Sequence, residues 1–201
     1  MVTRADASSV VCDRSVIERA RNGEREALGE LWRCYQPALL RYLRSRRATS
    51  PEDVASQVWA DVASSLQRFE GNADDFRRWL FTIAHRRSVD SIRRAVREDR
   101  VAVRAADDIE IEASDVAVGA DEEFDRFESL DRALALIARM PDQMGAAVML
   151  RVVNEMPIAD VAEILRTSEG NVRVLVHRGM ERLRRKLSVT DDSSPTMNIV
   201  P

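Results

Sequence analysis

Residues 157–187 read PIADVAEILRTSEGNVRVLVHRGMERLRRKL, and this segment has the most specific local pattern in the chain. Its first part predicts a short amphipathic helix, because apolar residues recur at the steps of one helical face: Ile158, Val161, Ala162 and Leu165. After a break at 166–169, a second helix is predicted from about Gly170, with an inner face of Val172, Val176, Met180, Leu183 and Leu187. Two short helices so spaced, the second one basic, are typical of a helix-turn-helix, whose second helix enters the major groove of DNA.

The outward side chains near the start of the second helix are the candidates for contact with base edges. They are Asn171, Arg173, Val174, His177 and Arg178. Arginine can pair with guanine and asparagine with adenine, so these side chains suit direct readout. A basic helix face is also often only a solvated face, and this segment alone leaves both interpretations open. Arg166 occupies the turn position where many such motifs have a glycine with a left-handed backbone.

The composition extends the helical prediction to the whole chain. Of 201 residues, 45% are apolar, whereas only seven are glycine and six are proline. Such a mixture favours helices, since glycine and proline are the residues that helices exclude. The length and the pattern predict an all-α protein of two small helical domains joined by an acidic flexible linker.

The first domain is expected at residues 15–98. Its pattern predicts a short helix to Arg21, a turn at 22–23, and a longer helix whose apolar stripe includes Leu31, Trp32 and Tyr35. Another helix is expected to start with Ser50 as its N-cap and Pro51 in its first position. Its buried stripe is predicted to be Val54, Val58, Val62, Leu66 and Phe69. A third helix is expected from about Asp75.

Charge is distributed unevenly, although the net charge is only −3. Residues 101–128 contain ten acidic residues and two arginines, and we interpret residues 99–123 as a linker. Basic residues concentrate at 76–104 and at 166–187, in the two predicted domains. The second domain is expected at 124–187. The polar ends, 1–14 and 188–201, are predicted to be disordered tails.

The stretch FRRWLFTIAHRR at 76–87 combines aromatic residues with arginines on one helix. Stacking partners and cations are what exposed, unpaired bases need. The same aromatic residues would also serve as an ordinary helix core, so the stretch alone allows either role.

Several classes of function find no support in the sequence. The two histidines, His85 and His177, are far apart, and no GxSxG, HExxH or phosphate-binding glycine loop occurs. We therefore expect no enzyme and no cofactor. Cys12 and Cys34 lack metal-ligand spacing, so neither a metal site nor a redox role is expected. No apolar run approaches the length of a membrane span or of a signal peptide core, which predicts a cytoplasmic protein without membrane contact.

The order of the segments resembles the extracytoplasmic-function (ECF) sigma factors of bacterial RNA polymerase. SPEDVASQVW at 50–59, LQRFEG at 66–71 and FRRWLFTIA at 76–84 are similar to region 2 of that family. VAEIL at 161–165 and GNVRVLVHRG at 170–179 are similar to region 4. The resemblance implies promoter-specific transcription initiation, with core RNA polymerase and promoter DNA as partners, no small-molecule substrate, and control by an anti-sigma factor.

The resemblance also implies roles for individual residues. Core polymerase would be held by Asp53, Ser56, Gln57 and Asp61. The melted −10 element would be captured by Gly71, Asn72, Ala73, Trp79, His85, Arg86, Asp90, Arg93 and Arg94. The −35 element would be read as duplex by Asn171, Arg173, Val174, His177 and Arg178. The chain departs from the usual pattern at Ser56-Gln57, where the family has an acid, and at Arg166.

Two other functions remain open from the residues. One is an ordinary helix-turn-helix regulator that binds duplex DNA without polymerase. The other is an interaction module whose main partner is an anti-sigma factor. The helix around Trp79 and the acidic linker favour the sigma factor, since an ordinary regulator needs neither.

Overall fold

The computed structural model describes residues 12–46, 48, 50–105 and 132–191. Within these ranges the chain is helical and contains no strand, which confirms the all-α prediction. The helices form two groups, before and after the undescribed residues 106–131, in which most of the predicted acidic linker lies.

The first group has four helices: α1 (Arg14–Arg21), α2 (Arg25–Ser45), α3 (Pro51–Ser65) and α4 (Ala73–Ala105). A 3-10 turn, Leu66–Arg68, follows α3. Asp13 caps α1, because its side chain accepts a hydrogen bond from the Ser15 amide. Pro51 opens α3 as predicted, but Ser50 caps it without a side-chain hydrogen bond.

The core of the first group is built on aromatic rings. Phe76 packs against Tyr35 with ring centroids 5.4 Å apart, and Phe81 meets Tyr42 edge-on at 5.6 Å. Burying each such ring stabilises the fold by roughly 1.5–3 kcal/mol. The predicted stripe of α3 is confirmed, since Val54, Val58, Val62, Leu66 and Phe69 are all buried. The prediction for Trp32 is wrong: its side chain is 47% exposed.

The second group comprises α5 (helical at 132–138), α6 (Asp142–Val148), α7 (Ile158–Ile164) and α8 (Glu169–Asp191). A π-helical turn, Met149–Val153, continues α6. The predicted helix pair at 157–187 is therefore confirmed, and α8 begins one residue before the predicted start. The prediction that Leu187 faces inward is wrong, since its side chain is 40% exposed.

Glycine permits the close packing of α6 against α8. A Cβ atom at Gly179 would collide with the Val148 side chain and come within 3.3 Å of Met144 Cγ. The two helices make the most extensive contact within the second group. The packing of α6 against α8 therefore requires a residue without a side chain at position 179.

Three predicted boundaries differ from the structure. Helix α4 runs to Ala105, into the segment predicted as linker. Helix α1 begins at Arg14 and α8 reaches Asp191, so these ends of the predicted tails are helical. The Cys12 amide also donates to Tyr35 Oη at 3.2 Å, which anchors the chain before α1. The rest of both tails lies outside the described residues.

The two groups touch each other. Helix α7 packs on α4, while α6 and its π-helical turn pack on α2. The helix-turn-helix therefore lies against the helix that carries the aromatic-basic stretch.

Candidate nucleic-acid interface

The loop before α4 is shaped by a capping box. Asn72 Oδ1 accepts hydrogen bonds from the Asp74 and Asp75 amides at 2.9 and 3.0 Å, and Asp75 Oδ2 accepts from the Asn72 amide at 2.9 Å. Helix α4 consequently begins at Ala73, earlier than the predicted Asp75. The Asn-x-x-Asp spacing was a readable signal for this start. The Asn72 side chain, which we predict to contact DNA, thus caps the N-terminus of α4.

The conformation of this loop depends on Gly71. Its φ is +147°, and a Cβ there would lie 2.7 Å from Asp75 Cβ. Only glycine fits this conformation and this space. Gly71 and Asn72 are exposed. The loop backbone is therefore accessible to the ligand that we predict to contact Gly71, Asn72 and Ala73.

Trp79 belongs to a small aromatic cluster at the surface. Its ring stacks on Phe69 with centroids 5.1 Å apart and an interplanar angle of 26°, and it meets Phe76 edge-on at 5.8 Å. Phe69 and Phe76 are buried, whereas Trp79 is half-buried. The cluster fixes the indole orientation while leaving part of the ring accessible.

Beyond Trp79, α4 presents a charged face to solvent. Arg86, Asp90, Arg93 and Arg94, all predicted to lie at the −10 element, are exposed. Arg86 is also within 3.3 Å of Asp61 Oδ2 on α3. These side chains lie on one helix with Trp79, as capture of a single strand requires.

His85 differs from its neighbours on α4. Its Nδ1 is 2.9 Å from Tyr42 Oη, and the ring is half-buried between α4 and α2. Burial, reinforced by the nearby Arg46 charge, lowers the pKa of His85 to about 4. With this pKa the ring is uncharged near pH 7, and its hydrogen bond to Tyr42 contributes to the packing of α4 on α2. The −10 contact predicted for His85 stays a prediction.

The predicted polymerase contacts divide into two kinds. Asp53, Ser56 and Gln57 are exposed on α3. Asp61 instead binds Arg87, with oxygens 2.5 Å from Nη2 and 2.7 Å from Nε. The hydrogen bond from Arg87 holds the pKa of Asp61 below its usual value. Asp61 therefore joins α3 to α4, and no local sequence pattern predicts this role.

The start of α8 presents the predicted reading face. Asn171, Arg173, Val174, His177 and Arg178 are all exposed there. Val174 is apolar but 44% exposed, so it does not belong to the core. Ser168, missed by the sequence analysis, accepts a hydrogen bond from the Asn171 amide at 3.2 Å and caps the helix.

Neighbouring side chains hold several of these groups in place. Asn171 Nδ2 donates to Thr167 Oγ1 at 2.9 Å, and Arg173 pairs with Glu169 at 2.8 Å, one turn earlier. His177 lies 3.5 Å from Glu181. A surface pair of this kind is weak, so a DNA base can replace the carboxylate as the partner of Arg173.

The turn between α7 and α8 has the left-handed residue that the motif suggested. Arg166 has a φ of +51°, the conformation that glycine adopts without cost. Its amide donates to the Glu163 carbonyl at 3.1 Å, which ends α7. The turn geometry is therefore kept although the usual residue is absent.

No group of three or more His, Cys, Asp or Glu side chains in the described ranges is placed to hold a metal ion. No helix in the same ranges is long and apolar enough to cross a membrane.

Comparison with known families and proteins agrees with this geometry. The family description "Sigma-70 region 2" matches residues 31–98, and "Sigma-70, region 4" matches residues 130–183. The ECF RNA polymerase sigma factor ShbA of Streptomyces griseus is 29% identical over 188 residues, covering 90% of this chain and 97% of that protein. SigD of Mycobacterium tuberculosis is 26% identical over 184 residues, covering 89% of this chain and 85% of SigD.

A solved structure shows the same fold. CnrH, in complex with the cytosolic domain of CnrY, aligns with a TM-score of 0.60 at 21% identity, covering 94% of this chain and all of CnrH. The helices, the helix-turn-helix and both matched regions define a transcription initiation factor of the sigma-70 type. The chain belongs to the ECF sigma factors, the group whose members it matches over nearly its whole length. It directs core RNA polymerase to specific promoters.

Proposed function

We propose that the first helical group captures the melted −10 element. The loop at 71–73 and the exposed face of α4 would receive the non-template strand, with Trp79 as a stacking platform and Arg86, Arg93 and Arg94 at the phosphates. The supporting observations are that Trp79, Arg86 and Arg93 line one cleft along α4, and that Arg94 and the loop residues Gly71 and Asn72 are exposed. His85 supports the face from inside, through its bond to Tyr42.

The second group reads the −35 element as duplex through the first turns of α8. This proposal rests chiefly on one observation: all five predicted reading residues are exposed on a helix whose start is capped by Ser168. Arg173 would pair with guanine and Val174 would contact a thymine methyl group. Arg182 and Arg184, farther along and exposed, would meet phosphates.

Core RNA polymerase is held through the exposed side of α3, with Asp53, Ser56 and Gln57 as contacts. An anti-sigma factor controls the chain, a proposal supported by the CnrH structure, which contains the cytosolic domain of CnrY. Since polymerase and chromosome are cytoplasmic, the protein acts there, and as an initiation factor it performs no catalysis of its own. The domains act as 15–98 and 124–187, with the acidic segment at 99–123 between them.

The test is run-off transcription with purified core polymerase and a promoter library. Initiation that depends on the added chain, together with co-purification with core, is the expected result. Tight duplex binding without any core binding would instead identify an ordinary helix-turn-helix regulator. Arg173→Ala should weaken binding to the selected −35 sequence by about 1–3 kcal/mol and relax preference at one base. Equal losses on all sequences would assign Arg173 to a phosphate.

A further inference from the structure

The two cysteines of the chain lie where α1 begins against α2. Cys12 directly precedes Asp13, the cap of α1, and donates its amide hydrogen to Tyr35 Oη of α2 at 3.2 Å. Cys34 is the neighbour of Tyr35 on α2. Both cysteines are half-buried and pack against the hydrophobic core. The backbone hydrogen bond therefore holds Cys12 beside the part of α2 that carries Cys34.

The side chains of the two cysteines interact directly. Burial, and after it a hydrogen bond with the Cys12 side chain, raises the pKa of the Cys34 thiol to about 12. Burial is also the main cause that raises the pKa of Tyr35 to about 12, and both cysteine side chains add to it. The three groups thus share one site. The expectation that neither cysteine has a redox role rested on sequence spacing, which does not reveal this contact.

This site lies apart from the surfaces proposed for DNA and polymerase, which are on α3, α4 and α8 and in the loop before α4. It belongs instead to the packing of the first helical group. Helix α1 lies along α2, and the Tyr35 ring packs on Phe76 of α4 with centroids 5.4 Å apart. A covalent link between Cys12 and Cys34 would therefore fix the start of α1 to the core of this group.

We propose that Cys12 and Cys34 form a redox modification site, at which a peroxide oxidises the two thiols to a disulfide that ties the start of α1 to α2. Disulfides in cytosolic proteins are usually transient and redox-sensing. The link closes a loop over residues 12–34, which contains all of α1, and so stabilises the folded chain by restricting the unfolded one. Low-molecular-weight thiols reverse it by thiol–disulfide exchange.

The oxidation takes two steps. Cys34 stays protonated near pH 7 because its pKa is raised, so Cys12 supplies the attacking thiolate. The Cys12 sulfur attacks hydrogen peroxide: an S–O bond forms, the O–O bond breaks, and hydroxide leaves and takes up the proton that the Cys12 thiol released. The Cys34 sulfur then attacks the Cys12 sulfenic acid: the S–S bond forms, the S–O bond breaks, and the departing hydroxide takes the Cys34 proton. One peroxide gains the two electrons that the thiols lose, and two water molecules result.

The test is mass spectrometry of the full chain after treatment with stoichiometric hydrogen peroxide. Tryptic peptides 5–14 and 34–41, which contain the two cysteines, should be recovered as one linked species without reductant and as two separate peptides after dithiothreitol. The oxidised chain should also unfold at a temperature higher by roughly 5–10 °C, because the link constrains the unfolded state. Dithiothreitol should abolish this increase.

Cys12→Ser and Cys34→Ser are the matched controls, and each is compared with its own reduced sample. Neither variant can form the link within the chain, so peroxide should not raise its unfolding temperature. Three results would overturn the proposal: two thiols that remain open to alkylation after peroxide, a disulfide found only between two chains on a non-reducing gel, or a link within the chain that leaves the unfolding temperature unchanged.

Discussion

Asp61 on α3 and Arg87 on α4 form a two-point ion pair, with oxygen to nitrogen distances of 2.5 and 2.7 Å. The pair joins the helix proposed to hold polymerase to the helix proposed to hold melted DNA. Bidentate geometry fixes orientation as well as distance. The angle at which α4 meets the strand is therefore tied to the position of α3 on the polymerase.

Breaking this pair should cost little stability. Asp61→Asn and Arg87→Gln should each lower the free energy of unfolding by about 0.5–1 kcal/mol, since both side chains are partly solvated. A depressed carboxylate pKa stabilises the native state above the unfolded value of about 3.9. The contribution is thus present at pH 7 and disappears as the pH falls through the lowered pKa of Asp61. Urea unfolding in a double-mutant cycle measures it, and a coupling energy of zero would contradict the pairing.

His85 should make stability depend on pH between about 4 and 6.5. Its folded pKa of about 4 lies below the unfolded value of about 6.5, so the unfolded chain binds the extra proton in this window. Stability then falls as the pH drops through the window, by up to about 1.4 kcal/mol per pH unit. His85→Gln should flatten this slope in urea unfolding curves. A slope that persists unchanged in His85→Gln would contradict this assignment.

Asn72 allows its capping role to be separated from a DNA role. Asn72→Ala should lower the free energy of unfolding by about 1 kcal/mol, because the amides of Asp74 and Asp75 lose their acceptor. Asn72→Ser keeps a capping oxygen and should retain most of the stability. Permanganate footprinting of the opened promoter then tests the second role. Normal promoter opening by the Asn72→Ser variant would mean that Asn72 caps the helix and does not contact DNA.

Much of this fold follows from local pattern. Helix periodicity predicted the α3 stripe, and the spacing at 157–187 predicted the helix-turn-helix with a left-handed turn at Arg166. Periodicity gives the inner face of a helix but not how far its neighbours extend along it. Periodicity therefore predicts Trp32 and Leu187 to face inward, whereas both are exposed in the structure.

The site was less accessible to sequence reasoning, because its pairings are long-range. His85 stands among arginines in the chain, which suggested DNA, but its partner Tyr42 is 43 positions away. The partner of Arg46 is 96 positions away, across the predicted linker. Nothing near either residue in sequence identifies these partners. Asn72 is different, because the Asn-x-x-Asp spacing from Asn72 to Asp75 is by itself enough to predict the capping box.

The backbone at Arg166 should be relieved by glycine. A side chain other than glycine at φ +51° costs about 1–2 kcal/mol. Arg166→Gly should therefore raise the free energy of unfolding by about 1 kcal/mol. Arg166→Ala removes the same exposed side chain and keeps the strain, so it should give no such gain in chemical denaturation. Equal effects of the two variants would show that the side chain, not the backbone, sets the stability at this turn.

Gly179 and Gly170 lie on the same helix and should respond oppositely to alanine. At Gly179 the added methyl would collide with Val148, whereas at Gly170 the nearest atom would be Ser168 Oγ at 3.9 Å. Gly179→Ala should therefore destabilise the protein by about 1–3 kcal/mol, since α6 and α8 must move apart. Gly170→Ala should stabilise it by up to about 1 kcal/mol through helix propensity. Thermal unfolding followed by circular dichroism compares the two. Because helix propensity acts at both positions, a stabilised Gly179→Ala would mean that α6 yields to the methyl group, and the close packing of these helices would then not be what requires glycine.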